Sequence, residues 1–212
     1  MSEINKELVE KFTTMATAVN ATVVELPSRE DAYKYVVDLT VSKDPCEMLA
    51  DEPGTEKGPL GPNRVPTRVQ RILSVPQLND EEFASVEAYA KEKGNILCIR
   101  EGVRKYGAGL DVGVINAVAG VAASGTCLCP NTDEDVRLSS MLCEISVLLL
   151  DKSTIRPDLP SIAGLMRECI GQGPEPSFNA LITGPSRTAD IECVGAVGVH
   201  GPLAMHIILL EA

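Results

Sequence analysis

After residue 68 the chain consists of short aliphatic runs separated by segments with helix signals, and this pattern constrains the fold most. The runs at 178–183 and 204–210 are rich in Ile and Leu, as in strands that are covered on both faces. Asn79-Asp80-Glu81-Glu82 is typical of a capped helix start, and Gly94 of a helix end. The alternation predicts an α/β protein built in layers.

The same signals place the individual elements along the chain. The amphipathic spacing of Ile4, Leu8, Phe12, Met15 and Val19 predicts a first helix. Further helices are expected at 29–41, 80–93, 111–117, 135–142 and 161–170, and strands at 22–26, 69–75, 95–100, 145–150, 178–183 and 204–210, with two more within 120–130.

Residues 43–67 interrupt this pattern. Prolines stand at positions 45, 53, 59, 62 and 66 and glycines at 54, 58 and 61, a composition that prevents regular hydrogen bonding. We therefore expect a long loop that tethers N-terminal helices to the rest, with residues 1–67 as an N-terminal extension and residues 68–212 as the α/β domain.

Length, charge and cysteine content exclude several classes of protein. The 212 residues fit one domain, and a formal net charge of −11 disfavours binding to nucleic acid or to an anionic membrane surface. Residues 1–20 are charged throughout and the run Ile145–Leu150 is too short to cross a bilayer, so we expect a cytoplasmic chain without membrane insertion. The seven cysteines are odd in number and unclustered, which favours reduced thiols without an iron–sulfur cluster; the role of Cys127 and Cys129 stays open.

The first candidate site follows the apolar run that ends near Thr183. Gly184 would let a ligand approach the backbone, and the hydroxyls of Ser186 and Thr188 and the guanidinium of Arg187 suit a carboxylate or a phosphate. Asp190 and Glu192 could accept a proton or pair with Arg187. The alternative is a sharp turn in which the hydroxyls cap a helix and Arg187 forms an internal ion pair.

Two further groups of residues carry possible chemistry. His200 precedes Gly201 and Pro202 and could act as an acid, a base or a donor, whereas His206 in an apolar strand is better explained as a hydrogen-bonded core residue. Ser124-Gly125-Thr126 offers a second oxygen-binding turn or the tip of a β-hairpin. The sequence has neither a P-loop nor a dinucleotide fingerprint, and a metal site is poorly supported.

The segment Ile182–Glu192 (ITGPSRTADIE), followed by Gly198–Pro202 (GVHGP), resembles the signature of LUD-domain proteins of the LutC/YkgG type. Ala119–Thr126 (AGVAASGT) is similar to another stretch of that family. The resemblance covers about residue 69 to the C-terminus. The Cys127 and Cys129 pair and the N-terminal part depart from it.

The resemblance implies a three-layer fold with a largely parallel central sheet, like the NagB/RpiA/CoA-transferase-like superfamily. It also implies an accessory subunit of bacterial L-lactate oxidation that works with iron–sulfur partner subunits. Joined to the anion chemistry of the Arg187 loop, the resemblance predicts a subunit that binds a small carboxylate or phosphate-bearing ligand. The ligand would be held by Ser124, Gly125, Thr126, Gly184, Ser186, Arg187, Thr188 and Gly201.

Two other functions remain possible from the sequence. The chain could be an independent enzyme of the sugar-phosphate isomerase or CoA-transferase class, with Asp190 or Glu192 as base and His200 as acid. It could also be a structural adaptor. The cofactor, if any, is not determined by the sequence.

Overall fold

The computed structural model describes residues 5–170, 177–189, 195–197 and 201–211. The helices are α1 (Lys6–Ala18), α2 (Arg29–Ser42), α3 (Asp80–Lys93), α4 (Glu134–Met141) and α5 (Ala163–Cys169). The strands are β1 (Ala21–Leu26), β2 (Lys57–Leu60), β3 (Pro66–Arg68), β4 (Arg71–Ser74), β5 (Ile96–Ile99), β6 (Leu110–Ala117), β7 (Ala119–Val121), β8 (Thr126–Pro130), β9 (Cys143–Asp151), β10 (Ile155–Arg156), β11 (Asn179–Ile182), β12 (Arg187–Ala189), β13 (Gly195–Val197) and β14 (Ala204–Leu210).

A six-stranded sheet in the order β1-β14-β9-β6-β4-β5 forms the centre of the molecule. Each neighbouring pair in it is parallel. Such a sheet must be covered on both faces, and its central strands carry the aliphatic runs that the sequence shows. The predicted α/β architecture with a largely parallel central sheet is confirmed.

Different layers cover the two faces of this sheet. On one face, α2 and α3 pack with residues such as Val36 and Val86 against Leu149 and Ile208. On the other face lie α1 and a second, four-stranded sheet in the order β10-β7-β8-β11. Cys127 and Cys129 of β8 are buried in the core on this face, where burial raises the pKa of the Cys129 thiol to about 12. These two cysteines are therefore packing residues.

The prediction of a helix at 111–117 is wrong, because this segment is the strand β6. It lies between β9 and β4 at the middle of the sheet and is almost entirely buried. Val112, Val114 and Ile115 are β-branched and fit such a position well. The position in the sheet thus decides the conformation of this segment.

The N-terminal part is not a tethered extension. Strand β1 pairs with β14 along its whole length, and Phe12 of α1 is completely buried in the core. Residues 43–67 lie against the domain, since the Cys46 N–H donates to the Asp111 carboxylate and the Leu49 N–H donates to the Ala108 carbonyl. The short strands β2 and β3 form a hairpin. Packing on the central sheet therefore joins residues before and after the expected boundary at 67/68.

Candidate functional site

A cavity of about 420 Å³ opens at the amino-terminal ends of β9 and β14. Ser146 of β9 and Met205 of β14 form its floor, and these two residues are register partners. Helix α4 contributes one wall, and the segment around β11 contributes the other. This volume lies within the usual range of small-molecule sites.

Arg137 of α4 is the cationic group of this cavity. Its guanidinium carbon lies 4.5 Å from the centre of the Phe178 ring, and Nη1 donates to the backbone oxygens of Asn131 and Thr132 at 3.1 and 3.3 Å. Helix α4 is fixed at its start because the Asp133 side chain accepts a hydrogen bond from the Val136 N–H. These contacts orient the Arg137 side chain. Its other guanidinium N–H groups could donate to an anion in the cavity.

Three side-chain oxygens of residues that line the cavity are buried and have no oxygen or nitrogen partner among the described residues. They are Oγ of Ser146, Oδ1 of Asn131 and Oδ1 of Asn179. Ser146 is 2% exposed and Asn131 is 4% exposed. Buried polar groups normally have partners, and an ordered water is the usual partner of such oxygens.

The structure brings the turns at Gly184 and Gly201 together at this cavity. Gly184, Ser186 and Gly201 all line it, and the Ser186 N–H donates to the Pro202 carbonyl at 3.0 Å. Gly184 has φ +73°, and a Cβ atom there would overlap the Val19 carbonyl. Its lack of a side chain thus allows close packing against the end of α1.

Arg187 is exposed and does not belong to the residues that line the cavity. It starts β12, which pairs antiparallel with β13, with Arg187 opposite Val197 and Thr188 opposite Ala196. The motif therefore contains the first strand of a β-ribbon. The expected catalytic residues Asp190, Glu192 and His200 lie outside the described residues.

Ser124 and Gly125 lie in the turn of the β7–β8 hairpin and Thr126 begins β8, as the hairpin interpretation predicts. Gly125 has φ +65°, and a Cβ atom there would overlap the backbone of Ala16 in α1. The hydroxyl of Thr126 lies 2.7 Å from those of Ser124 and Thr183, and Thr183 lines the cavity. These residues connect α1 to the wall of the cavity and do not line it themselves.

The cavity lies at the amino ends of the central strands, whereas a site at their carboxyl ends is expected for an open α/β fold. Ligands of such sheets generally bind beyond the carboxyl ends of the strands, and β11 was expected to belong to that sheet. In the structure β11 pairs antiparallel with β8 in the second sheet, so the turn after it reaches the amino ends of β9 and β14.

Sequence reasoning missed Arg137, Asn131, Ser146 and Phe178. A serine within the apolar run of β9 was a usable signal for Ser146. Arg137 and Asn131 offered none, because their positions depend on how α4 packs over the sheet. His206 is half-buried with Nδ1 2.8 Å from the Tyr35 hydroxyl, and burial lowers its pKa; this is the expected hydrogen-bonded core role.

The described residues contain no helix that is both long and apolar enough to cross a membrane. They also contain no group of three or more His, Cys, Asp or Glu side chains placed to hold a metal ion.

The LUD domain family model matches residues 9–210 of the chain. The chain belongs to the LUD-domain family. This result confirms the resemblance carried by the GPSRTADIE and GVHGP segments. It also agrees with the position of α1 and β1 inside the fold, because the match begins within α1.

Similar proteins extend this comparison. The uncharacterized protein YkgG of Escherichia coli (strain K12) is 30% identical over 100% of this chain and 83% of its own length. Lactate utilization protein C of Anoxybacillus flavithermus is 40% identical over 43% of this chain and 40% of its own length, and that of Bacillus subtilis is 35% identical over 48% and 42%. The chain thus aligns with less than half the length of these two lactate utilization proteins.

One solved structure shares the fold. The crystal structure of a DUF162 family protein from Deinococcus radiodurans matches with a TM-score of 0.53, covering 97% of each chain at 10% sequence identity. At this identity the match shows the fold alone.

Proposed function

We propose that this protein acts in lactate utilization as a cytoplasmic accessory subunit that binds a small organic anion in the cavity beside Arg137. One observation carries the proposal: in a chain with a net charge of −11, the described lining of the cavity holds an arginine and no carboxylate. The similarity to proteins named Lactate utilization protein C supports the biological role.

The cavity offers distinct surfaces to the two ends of a hydroxy or keto acid. A carboxylate would accept hydrogen bonds from Arg137 and from the Ser186 hydroxyl, and charge-assisted bonds of this kind are the strong ones. The carbon end would contact Phe178 and Met205. The Ser146 hydroxyl would donate to the hydroxyl or keto oxygen, and the side-chain oxygen of Asn131 would accept from a ligand hydroxyl, in each case directly or through water.

Calorimetry with L-lactate, pyruvate and inorganic phosphate tests the anion site. Arg137→Ala is expected to weaken binding by about tenfold to a hundredfold, because a charge-assisted hydrogen bond contributes about 1–3 kcal/mol. Arg187→Ala, at the exposed residue that the sequence motif singled out, is expected to weaken it less. Arg104→Ala is the matched control, since this arginine pairs with Glu134 on the surface. Equal affinity of the wild type and Arg137→Ala would contradict the site.

We further propose that the chain works with iron–sulfur partner subunits of lactate oxidation. Exposed apolar side chains beside the cavity, Met141 and Phe178, and Leu203 nearby support a docking role. Co-expression with the iron–sulfur subunits of the same genome should give a complex that co-purifies through this chain. Replacement of Met141 and Leu203 by serine should reduce capture, and capture at the wild-type level would exclude this surface.

A second candidate function is an independent acid–base enzyme. Gly201 lines the cavity and follows His200 directly in the chain, which motivates a test of His200 as acid with Asp190 or Glu192 as base. Turnover of a sugar phosphate or an acyl-CoA by the purified chain, lost in Glu192→Gln and His200→Gln, would favour this candidate. Inactivity of the purified chain with both substrate classes would favour the accessory subunit.

A further inference from the structure

Strand β11 forms an open edge of the second sheet. Among the described residues it pairs with β8 alone, at one end of the order β10-β7-β8-β11. All four of its residues, Asn179–Ile182, line the cavity beside Arg137, and none of them is buried. We propose that the C-terminal segment of a partner polypeptide adds to this edge as an antiparallel strand and places its terminal carboxylate at Arg137.

The hydrogen-bond register shows which backbone groups of β11 are open. The Asn131 N–H donates to the Phe178 carbonyl at 2.7 Å, so Phe178 and, two residues later, Ala180 face β8. In an antiparallel ladder such residues alternate with residues whose N–H and C=O groups point the other way. The backbone groups of Asn179 and Leu181 therefore point away from β8, to an edge where no described strand receives them.

This edge lacks the features by which proteins protect unpaired strands, namely charged side chains, proline and bulges. Residues 177–183 contain no charged residue and no proline, and the pairing of β11 with β8 is regular. Phe178 and Leu181 are 48% and 41% exposed. By contrast, the edge strand β1 carries Glu25, which pairs with Lys152 at 2.6 Å, and three of the four residues of β5 are buried. Strand β11 thus suits a further strand better than β1 or β5 does.

An extended polypeptide matches such an edge, because its main chain offers donors and acceptors at the spacing of the strand. A strand residue occupies about 3.3 Å along the chain, about 4.8 Å across the sheet and about 10 Å between sheets. The cavity of about 420 Å³ therefore has room for about three such residues, close to the four-residue length of β11. Side chains on the inner face of the added strand would contact Met205 on the floor of the cavity.

The position of Arg137 selects the direction of the added strand and its terminus. The Arg137 guanidinium lies over the Phe178 ring, next to the start of β11. An antiparallel strand ends where β11 begins, so its C-terminus reaches Arg137. The described lining of the cavity contains no carboxylate, and a terminal carboxylate would meet this cation without an opposing charge.

This inference rests on the proposed function for the role of Arg137 as the anion-binding group. It adds the kind of partner that the cavity receives and a form of regulation. Since the terminal carboxylate of the partner and a small organic anion use the same guanidinium, the two exclude each other.

Selection from a display library of random heptapeptides with free C-termini, carried out on the full chain, tests the site. We expect enriched sequences whose synthetic peptides bind in fluorescence anisotropy. Amidation of the C-terminus should weaken binding by about tenfold or more, the loss expected for a charge-assisted hydrogen bond. N-methylation along the peptide should weaken binding at every second residue, because only alternate N–H groups face β11.

Variants of β11 separate the backbone from the side chain. Leu181→Pro removes an N–H that points away from β8, so it should leave the sheet intact and weaken peptide binding by about fivefold to tenfold relative to Leu181→Ala. Leu181→Ala keeps this N–H and is the matched control for the lost side chain. Thermal unfolding of both variants establishes that they are folded. Arg137→Ala should weaken binding of the peptide acid and leave the weaker binding of the amide unchanged.

The absence of any enriched peptide, or equal affinity of the acid and the amide, would overturn the proposal. Equal peptide affinity of Leu181→Pro and Leu181→Ala would do the same. A dimer in light scattering that dissociates in Leu181→Pro would assign the edge to a second copy of the chain and also overturn it. Calorimetry of Leu181→Pro with L-lactate and pyruvate, whose affinity should equal that of the wild type, distinguishes a failure of the peptide site from a failure of the anion site.

Discussion

At the scale of single residues, Asp111 connects the N-terminal segment to the central sheet. Its carboxylate is fully buried and accepts hydrogen bonds from Lys43 Nζ at 2.7 Å, from the Cys46 N–H at 2.9 Å and from the Ile72 N–H at 2.8 Å. Lys43 also pairs with Glu144 at 2.9 Å. Burial alone would lower the pKa of Lys43, but the two carboxylates raise it above its ordinary value. Asp111 thus holds residues 43–46 against β4 and β6.

Asp111→Asn is expected to lower the free energy of unfolding by about 3–5 kcal/mol, the usual cost of breaking a buried ion pair by removing one partner. The asparagine amide retains the shape of the side chain but leaves the positive charge of Lys43 less well compensated. Urea denaturation monitored by circular dichroism measures the change. Asp51→Asn, in the exposed pair with Lys57, should cost less than about 1 kcal/mol. Equal costs in the two variants would contradict this role of Asp111.

His206 gives the stability a defined pH dependence. Burial lowers its pKa below 6.5, so the unfolded chain binds more protons than the folded one as the pH falls through that range. The contribution of His206 is therefore complete above its unfolded pKa and is lost below it. Urea denaturation between pH 7.5 and pH 5.5 should show a smaller decrease in unfolding free energy for His206→Gln than for the wild type. If the unfolding free energy decreases equally with pH in the wild type and in His206→Gln, His206 has the same pKa in the folded and unfolded chain.

At the scale of helices and strands, sequence signals that depend on local chemistry are sufficient to predict where a helix begins and ends. The helix start at Asn79 and Glu82 is a capping box in the structure, with both reciprocal hydrogen bonds present, and Gly94 follows the end of α3. The segment 111–117 was mistaken for a helix because its local pattern is ambiguous and its place between β4 and β9 is a tertiary property. Secondary structure was thus predictable where caps and breakers define it.

The contact between α4 and β6 leads to a prediction at this scale. Gly113 of β6 faces the Ser139 carbonyl of α4 so closely that a Cβ atom would overlap it. Gly113→Ala should lower the free energy of unfolding by about 1–3 kcal/mol through overpacking. Gly164→Ala in α5 is the control, because a Cβ there meets nothing within 4 Å, and it should stabilise the protein by about 0.5–1 kcal/mol. An unfolding free energy of Gly113→Ala equal to that of the wild type, measured by urea denaturation, would contradict this packing.

At the scale of the whole molecule, residues before position 67 complete the fold and pack against Gly184, which lines the cavity. Strand β1 closes one edge of the central sheet, and α1 fills the space that Gly125 and Gly184 leave open. The sequence suggests that a ligand approaches the backbone at Gly184, and that Gly125 belongs to an oxygen-binding turn or a hairpin tip. The structure shows that the backbone of α1 occupies the space at both.

A fragment of residues 68–212 is therefore expected not to fold on its own. Without β1 and α1 it exposes the buried face of β14 and much of the core around Leu148 and Ile207. Circular dichroism and thermal denaturation should show no cooperative transition for the fragment. Phe12→Ala in the full chain should still fold, with a loss of about 3–5 kcal/mol. A fragment with a cooperative transition near that of the full chain would restore the boundary at 67/68.

The sequence by itself determined the α/β class, most helices and strands, the family and the two turns at Gly184 and Gly201 that line the cavity. These follow from local composition, caps and motifs, which act over a few residues. Only the tertiary structure decided that Arg137 and Ser146 meet those turns, that Arg187 is exposed, and that the cavity opens at the amino ends of β9 and β14. The reason is that these properties depend on strand order and helix packing, which bring together residues far apart in the chain.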